Sequence, residues 1–190
     1  MSKRFCTLCG YALCGEFGTM HELSGLLSCP LPEQRPPVEP TSTLTRYVAG
    51  FMMTHDGLVA LVHKNKPPAL AGRLNGIGGK IEADESPRQA IVREFYEETS
   101  LHIDSWEYFC LLHCSPPGMG ASAVYFFYTW QTAQLLAQLQ TMETEEIKIV
   151  PDRQINTTTA LPNVPWLLRM AASMQEGERA AWFEVTEHYE

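Results

Sequence analysis

The stretch GKIEADESPRQAIVREFYEETSL, Gly79 to Leu101, decides how this chain is read. Ser86 stands at an N-cap position, Pro87 at the first helical position and Gln89 where a side chain returns to the cap, which predicts a helix running to about Thr99. Ala90, Ile91 and Phe95 give that helix an apolar face. Glu94, Glu97 and Glu98 fall at i, i+3 and i+4, so their carboxylates share another face within about 100° of arc. Three like charges there repel, and two arrangements relieve them. One is a solvated face stitched by pairs such as Arg93 with Glu97; the other is a cation held between the carboxylates. Hard oxygen donors of this kind favour Mg²⁺, Mn²⁺ or Ca²⁺ over thiophilic metals.

Working outward, Asn75-Gly76-Ile77-Gly78-Gly79 places three glycines in five residues just before the helix, where backbone can approach a ligand closely. Upstream, the apolar runs Tyr47 to Thr54 and Leu58 to His63 flank Asp56-Gly57 and read as a hairpin. Downstream, Trp106 to His113, Ala123 to Trp130 and Ile147 to Val150 read as strands, with a brief helix at Leu135, Leu136 and Leu139. Asn163 can cap a helix carrying Trp166, Leu167 and Met170, and Ala180 to Thr186 reads as a last strand. Irregular alternation of strands and helices, with no internal repeat, gives an α+β fold or mixed-sheet sandwich rather than a doubly wound sheet.

Composition bounds the function. The 190 residues are 45% hydrophobic and 19% charged, which excludes collagen-like, coiled-coil and wholly disordered chains. The net charge of −8 argues against a sequence-tolerant nucleic-acid surface, and no sequence-specific nucleic acid is expected as a partner. Glu82 to Glu98 alone holds six acids and two bases, so half of the net charge is concentrated around the predicted helix. No run of 18 apolar residues and no leader pattern are seen, so neither a membrane partner nor export is expected, and the expected compartment is the cytoplasm. Four of six cysteines lie in residues 1–29, and five prolines follow between Pro30 and Pro40. That pattern divides the chain into a Cys-rich segment at 1–29, a Pro-rich linker at 30–45 and a main domain at 46–190. Cys6-x2-Cys9-Gly10 is shaped like one zinc knuckle, and Cys14 and Cys29, or His21 with one of them, are available to complete a structural Zn²⁺ site. The alternative is an arm of reduced thiols.

The full pattern Gly79-x5-Glu85-x7-Arg93-Glu94-Phe95-Tyr96-Glu97-Glu98-Thr99-Ser100-Leu101 resembles the Nudix box, with Ser100 where the family has its second glycine. The resemblance covers about residues 45 to 186. It implies an α/β/α sandwich around a mixed sheet and Mg²⁺- or Mn²⁺-dependent hydrolysis of a nucleoside diphosphate linked to another group X. It also implies roles: Glu97 and Glu98 with the Gly78 carbonyl as metal ligands, Glu94 as ligand or base, and Glu85 with Arg93 orienting Glu94. Many members use a further acid outside the box; of Glu143, Glu145 and Glu146, the expectation falls on Glu146 as an added metal ligand. A diphosphate is anionic, so an acidic protein acting on it needs a metal to intervene.

For the substrate, the segment Gly72 to Lys80 resembles nucleotide-sanitising members that hydrolyse oxidised purine nucleoside triphosphates. Asn75 and Asn163 each match a position used there to read the base, since a carboxamide both donates and accepts. Asn75-Gly76 is equally a turn dipeptide and Asn163 an N-cap. Lys80 and Lys64 are the expected phosphate contacts. The leading expectation is a nucleoside triphosphate pyrophosphohydrolase giving a monophosphate and pyrophosphate. A second is an ADP-ribose or other nucleotide-sugar pyrophosphatase, suggested by Pro116 lying 15 residues beyond Leu101. A third, of another class, is a non-catalytic module that binds nucleotides or RNA ends. The sequence leaves the oligomeric state open, a homodimer included.

Overall fold

The computed structural model describes residues 44–115, 120–174 and 183–187. The Cys-rich segment, with Cys6, Cys9, Cys14, His21 and Cys29, lies outside the described residues, as does most of the Pro-rich linker; so do Pro116 and residues 180–182 of the predicted last strand. The strands are β1 (Thr45–Met53), β2 (Leu58–His63), β3 (Leu74–Asn75), β4 (Glu107–Cys114), β5 (Ser122–Trp130), β6 (Glu146–Pro151) and β7 (Phe183–Thr186). The helices are α1 (Pro87–Thr99), α2 (Ala133–Leu136) and α3 (Val164–Ser173). One mixed sheet runs β3-β2-β1-β5-β4-β7, with β6 pairing β2.

Period-two alternation in β1 sends side chains into two cores. Val48 and Met52 join Ala90, Ile91 and Phe95 of α1 on one face, while Ala49, Phe51 and Met53 join Val164, Leu167, Leu168 and Ala171 of α3 on the other. Helices on both faces of a mixed sheet make the α/β/α sandwich that the family resemblance implied. Gly50 is what lets the α1 face close: a Cβ there would come within 2.8 Å of the Trp106 ring and 2.9 Å of Ile91. Phe95 then meets Trp106 edge-on at 5.0 Å between centroids.

The expected hairpin forms only at its turn. Gly57 takes φ 83°, and Met52 and Met53 pair with Ala60 and Val59. Beyond that β1 leaves β2, pairing in parallel with β5 along its whole length. The reason is the glycine segment, which lies against the earlier part of β1: Gly50 exchanges hydrogen bonds with Ile77 (2.7 and 3.0 Å), and the Val48 amide donates to the Gly79 carbonyl at 2.9 Å. The carboxylate helix therefore starts from a segment already fastened to the centre of the sheet.

Helix α1 begins and ends as its sequence predicts. Ser86 and Gln89 form the reciprocal capping box. Ser100 ends the helix at φ 60°, ψ 13°, with its amide donating to the Tyr96 carbonyl. The departure from the family's glycine thus keeps the glycine's left-handed backbone and bears the Cβ cost of it. Ser100→Gly is expected to raise stability by about 1 kcal/mol, a Tm increase of about 2–4 °C for a chain of this size. Thermal unfolding monitored by circular dichroism measures it, and an unchanged or lower Tm would contradict the assignment of strain to this residue.

Candidate active site

Three backbone devices bring the acids together. The first is Gly78, at φ 147°, where a Cβ would stand 2.5 Å from the Val48 carbonyl; only glycine lets the chain pass so close to β1. The second is Gly79, on which the Glu94 carboxylate rests: a Cβ there would lie 2.4 Å from Glu94 Oε2. The third is α1 itself, whose 3.6-residue period sets Glu94, Glu97 and Glu98 on one helix face, with Glu94 against that glycine segment.

Arg93 ties the constellation. Its Nε donates to Glu85 Oε2 at 3.1 Å, and its Nη2 also reaches Glu85 Oε1 and the Lys80 carbonyl at 3.2 Å. Nη1 donates to Glu94 Oε1 and to Glu97 Oε2, each at 2.9 Å. Glu85 is fixed from its other side by the Glu82 amide at 2.9 Å. The bidentate pair with Arg93 holds the Glu85 carboxyl below its ordinary range, burial opposing and the Glu82 amide assisting. Arg93 is held charged well above even its usual value, chiefly by Glu85.

Glu94 and Glu98 are shifted the other way. Burial raises the Glu94 carboxyl although Arg93 pulls it down. Burial also pushes Glu98 up to about 8, with Lys64 opposing and Glu94, Glu143 and Glu145 reinforcing. Glu98 Oε2 is buried and finds no hydrogen-bond partner among the described residues. A buried carboxylate oxygen without a donor, beside further carboxylates, fits a hard divalent cation in donor chemistry. It is not a closed cage: among the described residues no three His, Cys, Asp or Glu groups are gathered as one site, since Glu94 and Glu97 turn to Arg93.

The other expected residues are placed unequally. Glu146, expected as the added ligand, is 64% exposed and pairs with Lys148 at 3.2 Å; the structure does not bring it to the acidic cluster. The acid turned inward is Glu145, 8% exposed and ion-paired with Lys64. The sequence offered Glu143, Glu145 and Glu146 and the expectation fell on Glu146, but which of them turns inward depends on register. His63 lies opposite Glu146 where β2 pairs with β6, and one step further along this antiparallel ladder sets Lys64 opposite Glu145. Lys64 is thus engaged rather than free for phosphate, whereas Lys80 is exposed beside the glycine segment.

Asn75 ends β3 and Asn163 precedes α3. Leu74 donates to the Thr159 carbonyl and accepts from the Leu161 amide, both at 3.0 Å, so the segment carrying Asn163 runs alongside β3. Asn163 occupies the cap position but makes no capping hydrogen bond, having helical φ and ψ. The Oδ1 atoms of Asn75 and Asn163 are both buried without a partner among the described residues.

Residues 43–172, more than half of the chain, match the NUDIX domain family. The chain therefore belongs to the Nudix hydrolase family. A 61-residue stretch is 38% identical to the CTP pyrophosphohydrolase of Escherichia coli, covering 32% of this chain and 45% of that protein, so the chain matches less than half of that relative's length. Among solved structures, a MutT protein from Bacillus halodurans superposes with a TM-score of 0.57 at 18% identity, over 77% of this chain and 90% of that one. The NUDIX domain of NrtR from Shewanella oneidensis, in complex with ADP-ribose, superposes with a TM-score of 0.54 at 20% identity, over 81% of this chain and all of that one. These two likenesses establish the fold.

The raised Glu98 carboxyl gives a test of whether a cation binds beside it. A carboxyl whose pKa is higher folded than unfolded contributes stability fully present below the ordinary carboxylate range and lost as pH rises through about 8. Glu94 acts in the same direction, while Glu85 and Glu145, shifted down, act only at lower pH. The metal-free protein is expected to lose thermal stability between the carboxylate range and about pH 8, and Glu98→Gln to flatten that decline. Mg²⁺ or Mn²⁺ should raise Tm more at the alkaline end than at the acidic end. Equal slopes in the two proteins would contradict the burial of an unpaired Glu98.

Proposed function

We propose that this protein is a Mg²⁺- or Mn²⁺-dependent pyrophosphohydrolase of nucleoside triphosphates, releasing a nucleoside monophosphate and pyrophosphate. The observation that carries the reading is the Glu94 carboxylate seated on Gly79 and bonded to Arg93, with Glu97 on the same guanidinium nitrogen and Glu98 Oε2 buried without a hydrogen-bond partner among the described residues. That arrangement retains every carboxylate of the family pattern, which favours an enzyme over a binding module built on the same fold.

In this reading Glu97, Glu98 and the Gly78 carbonyl hold the metal. When bound, Mg²⁺ or Mn²⁺ supplies neutralisation of the phosphoryl oxygens and a more acidic water. Glu94, whose carboxyl is raised by burial, is the group suited to accept a proton from the attacking water. Arg93 holds Glu94 by one guanidinium nitrogen, and Glu85 fixes Arg93 in turn, so these two orient the base without touching substrate. Lys80 is the exposed cation placed to meet phosphate oxygens.

The base is read by Asn75 and Asn163. A buried carboxamide oxygen without a donor costs free energy until a ligand supplies one, and the two asparagines sit on adjoining segments. Their ability to donate and accept suits an amino- or oxo-bearing base edge. The resemblance to a CTP pyrophosphohydrolase supports a triphosphate and adds cytosine to the oxidised purines as a candidate base.

Product identification by chromatography tests the proposal, with Mg²⁺ and a panel of ordinary and oxidised nucleoside triphosphates, CTP and ADP-ribose. Monophosphate and pyrophosphate from a triphosphate are expected; AMP and ribose phosphate from ADP-ribose would replace the substrate reading. Glu97→Gln should lower turnover by about 10²–10⁴-fold without lowering Tm by more than a few degrees. Unchanged turnover would overturn the role given to the acidic face.

A further inference from the structure

Both oxygens of the Glu145 carboxylate are engaged. Its Oε2 is paired with Lys64 Nζ, and its Oε1 accepts from the backbone amides of Asn65 at 2.8 Å and Lys66 at 3.2 Å. The Asn65 side chain adds a bond from Nδ2 to the Thr144 carbonyl at 3.0 Å. Three consecutive residues at the start of the β2–β3 connection are thus gathered by one buried acid and its neighbour.

The segment just before Glu145 is fastened to α1. The Gln140 amide donates to the Thr99 carbonyl at 3.2 Å and the Met142 amide to the Glu98 carbonyl at 3.0 Å, satisfying two carbonyls at the end of the helix. The far end of the β2–β3 connection is also fixed. Lys64 and Arg73 share a backbone bond of 2.9 Å, the Gly72 amide donates to the Lys64 carbonyl at 2.8 Å, and Arg73 Nη1 donates to the Thr157 carbonyl and, at 3.3 Å, to the Ala160 carbonyl. Hydrogen bonds therefore fasten residues 140–142 to the end of α1, and a second set runs from Glu145, three residues further along the chain, to the base of β3 and the segment before α3. Those last two elements carry Asn75 and Asn163.

We propose that Glu145 is a positioning residue that anchors the β2–β3 connection for nucleotide binding, and that it is not a metal ligand. An ammonium and two amides already meet three of the carboxylate's roughly four acceptor directions, and both oxygens are engaged. To ligate a cation, Glu145 would have to release Lys64 or leave buried amides unpaired, which opposes binding at that atom. With Glu146 turned out to Lys148, neither acid is arranged as a ligand beyond the family pattern itself. The link to nucleotide binding rests on the reading of Asn75 and Asn163 given above; the assignment of Glu145 as an anchor does not.

The test compares Glu145→Ala and Glu145→Gln with the wild-type protein. Amide hydrogen exchange at Asn65 and Lys66 and Mn²⁺ affinity by calorimetry are read without turnover; KM and kcat for the preferred triphosphate are read separately. Glu145→Ala should speed exchange of both amides about tenfold, raise KM about tenfold and leave kcat and Mn²⁺ affinity within about twofold. Glu145→Gln retains an acceptor for the amides and should restore most of the protection and of the KM. Loss of Mn²⁺ affinity by about tenfold or more in Glu145→Gln would overturn the proposal, as would unchanged amide exchange in Glu145→Ala. A chain that hydrolyses no nucleotide would fail the functional reading alone, since exchange and Mn²⁺ affinity would still decide the anchor.

Discussion

The absence of two Cβ atoms, at Gly78 and Gly79, is the constraint on which the rest of this architecture depends. Gly78 passes under the Val48 carbonyl and fastens the segment to the central strand; Gly79 leaves the space into which the Glu94 carboxylate settles. The two contacts differ in kind. A side chain at Gly78 would strike backbone and require the sheet to move, whereas one at Gly79 would strike the far end of a flexible side chain. One glycine therefore serves the fold and the other serves the placement of a functional group.

Around that point the helix carries charge that its own stability does not favour. Glu94, Glu97 and Glu98 repel one another, and burial raises the carboxyls of Glu94 and Glu98. Arg93 offsets part of this by bridging Glu94 and Glu97 while Glu85 holds it in place. The apolar face of α1, with Phe95 edge-on to Trp106 and Ile91 over Gly50, supplies the packing that keeps such a helix docked. Glu98 Oε2 remains buried without a hydrogen-bond partner among the described residues, a donor chemistry that fits a hard cation.

Most of the local structure was legible in the sequence because local signals specify it. The Ser86–Gln89 box, the i, i+3, i+4 acids and the strand runs all depend on residues near in sequence, and α1 begins and ends at the predicted residues. What escaped depends on partners far along the chain. The hairpin is short because residues 77–79 take the place beside β1 that β2 would fill. Glu145 rather than Glu146 points inward because of the β2–β6 register, set by pairing across some 80 residues. Asn163 looked like a cap, and its position is a cap's, but its backbone is already helical and its side chain is left for other use.

The most direct test of the central claim is the kcat of Gly79→Ala, measured with its Tm and circular dichroism spectrum. Alanine suits the backbone at this position, so the fold is expected to persist, while the new Cβ displaces the Glu94 carboxylate from its seat. If the Glu94 seat on Gly79 sets the base, kcat falls by at least about 100-fold with Tm within a few degrees of wild type. Retention of wild-type turnover in a folded Gly79→Ala protein would contradict it.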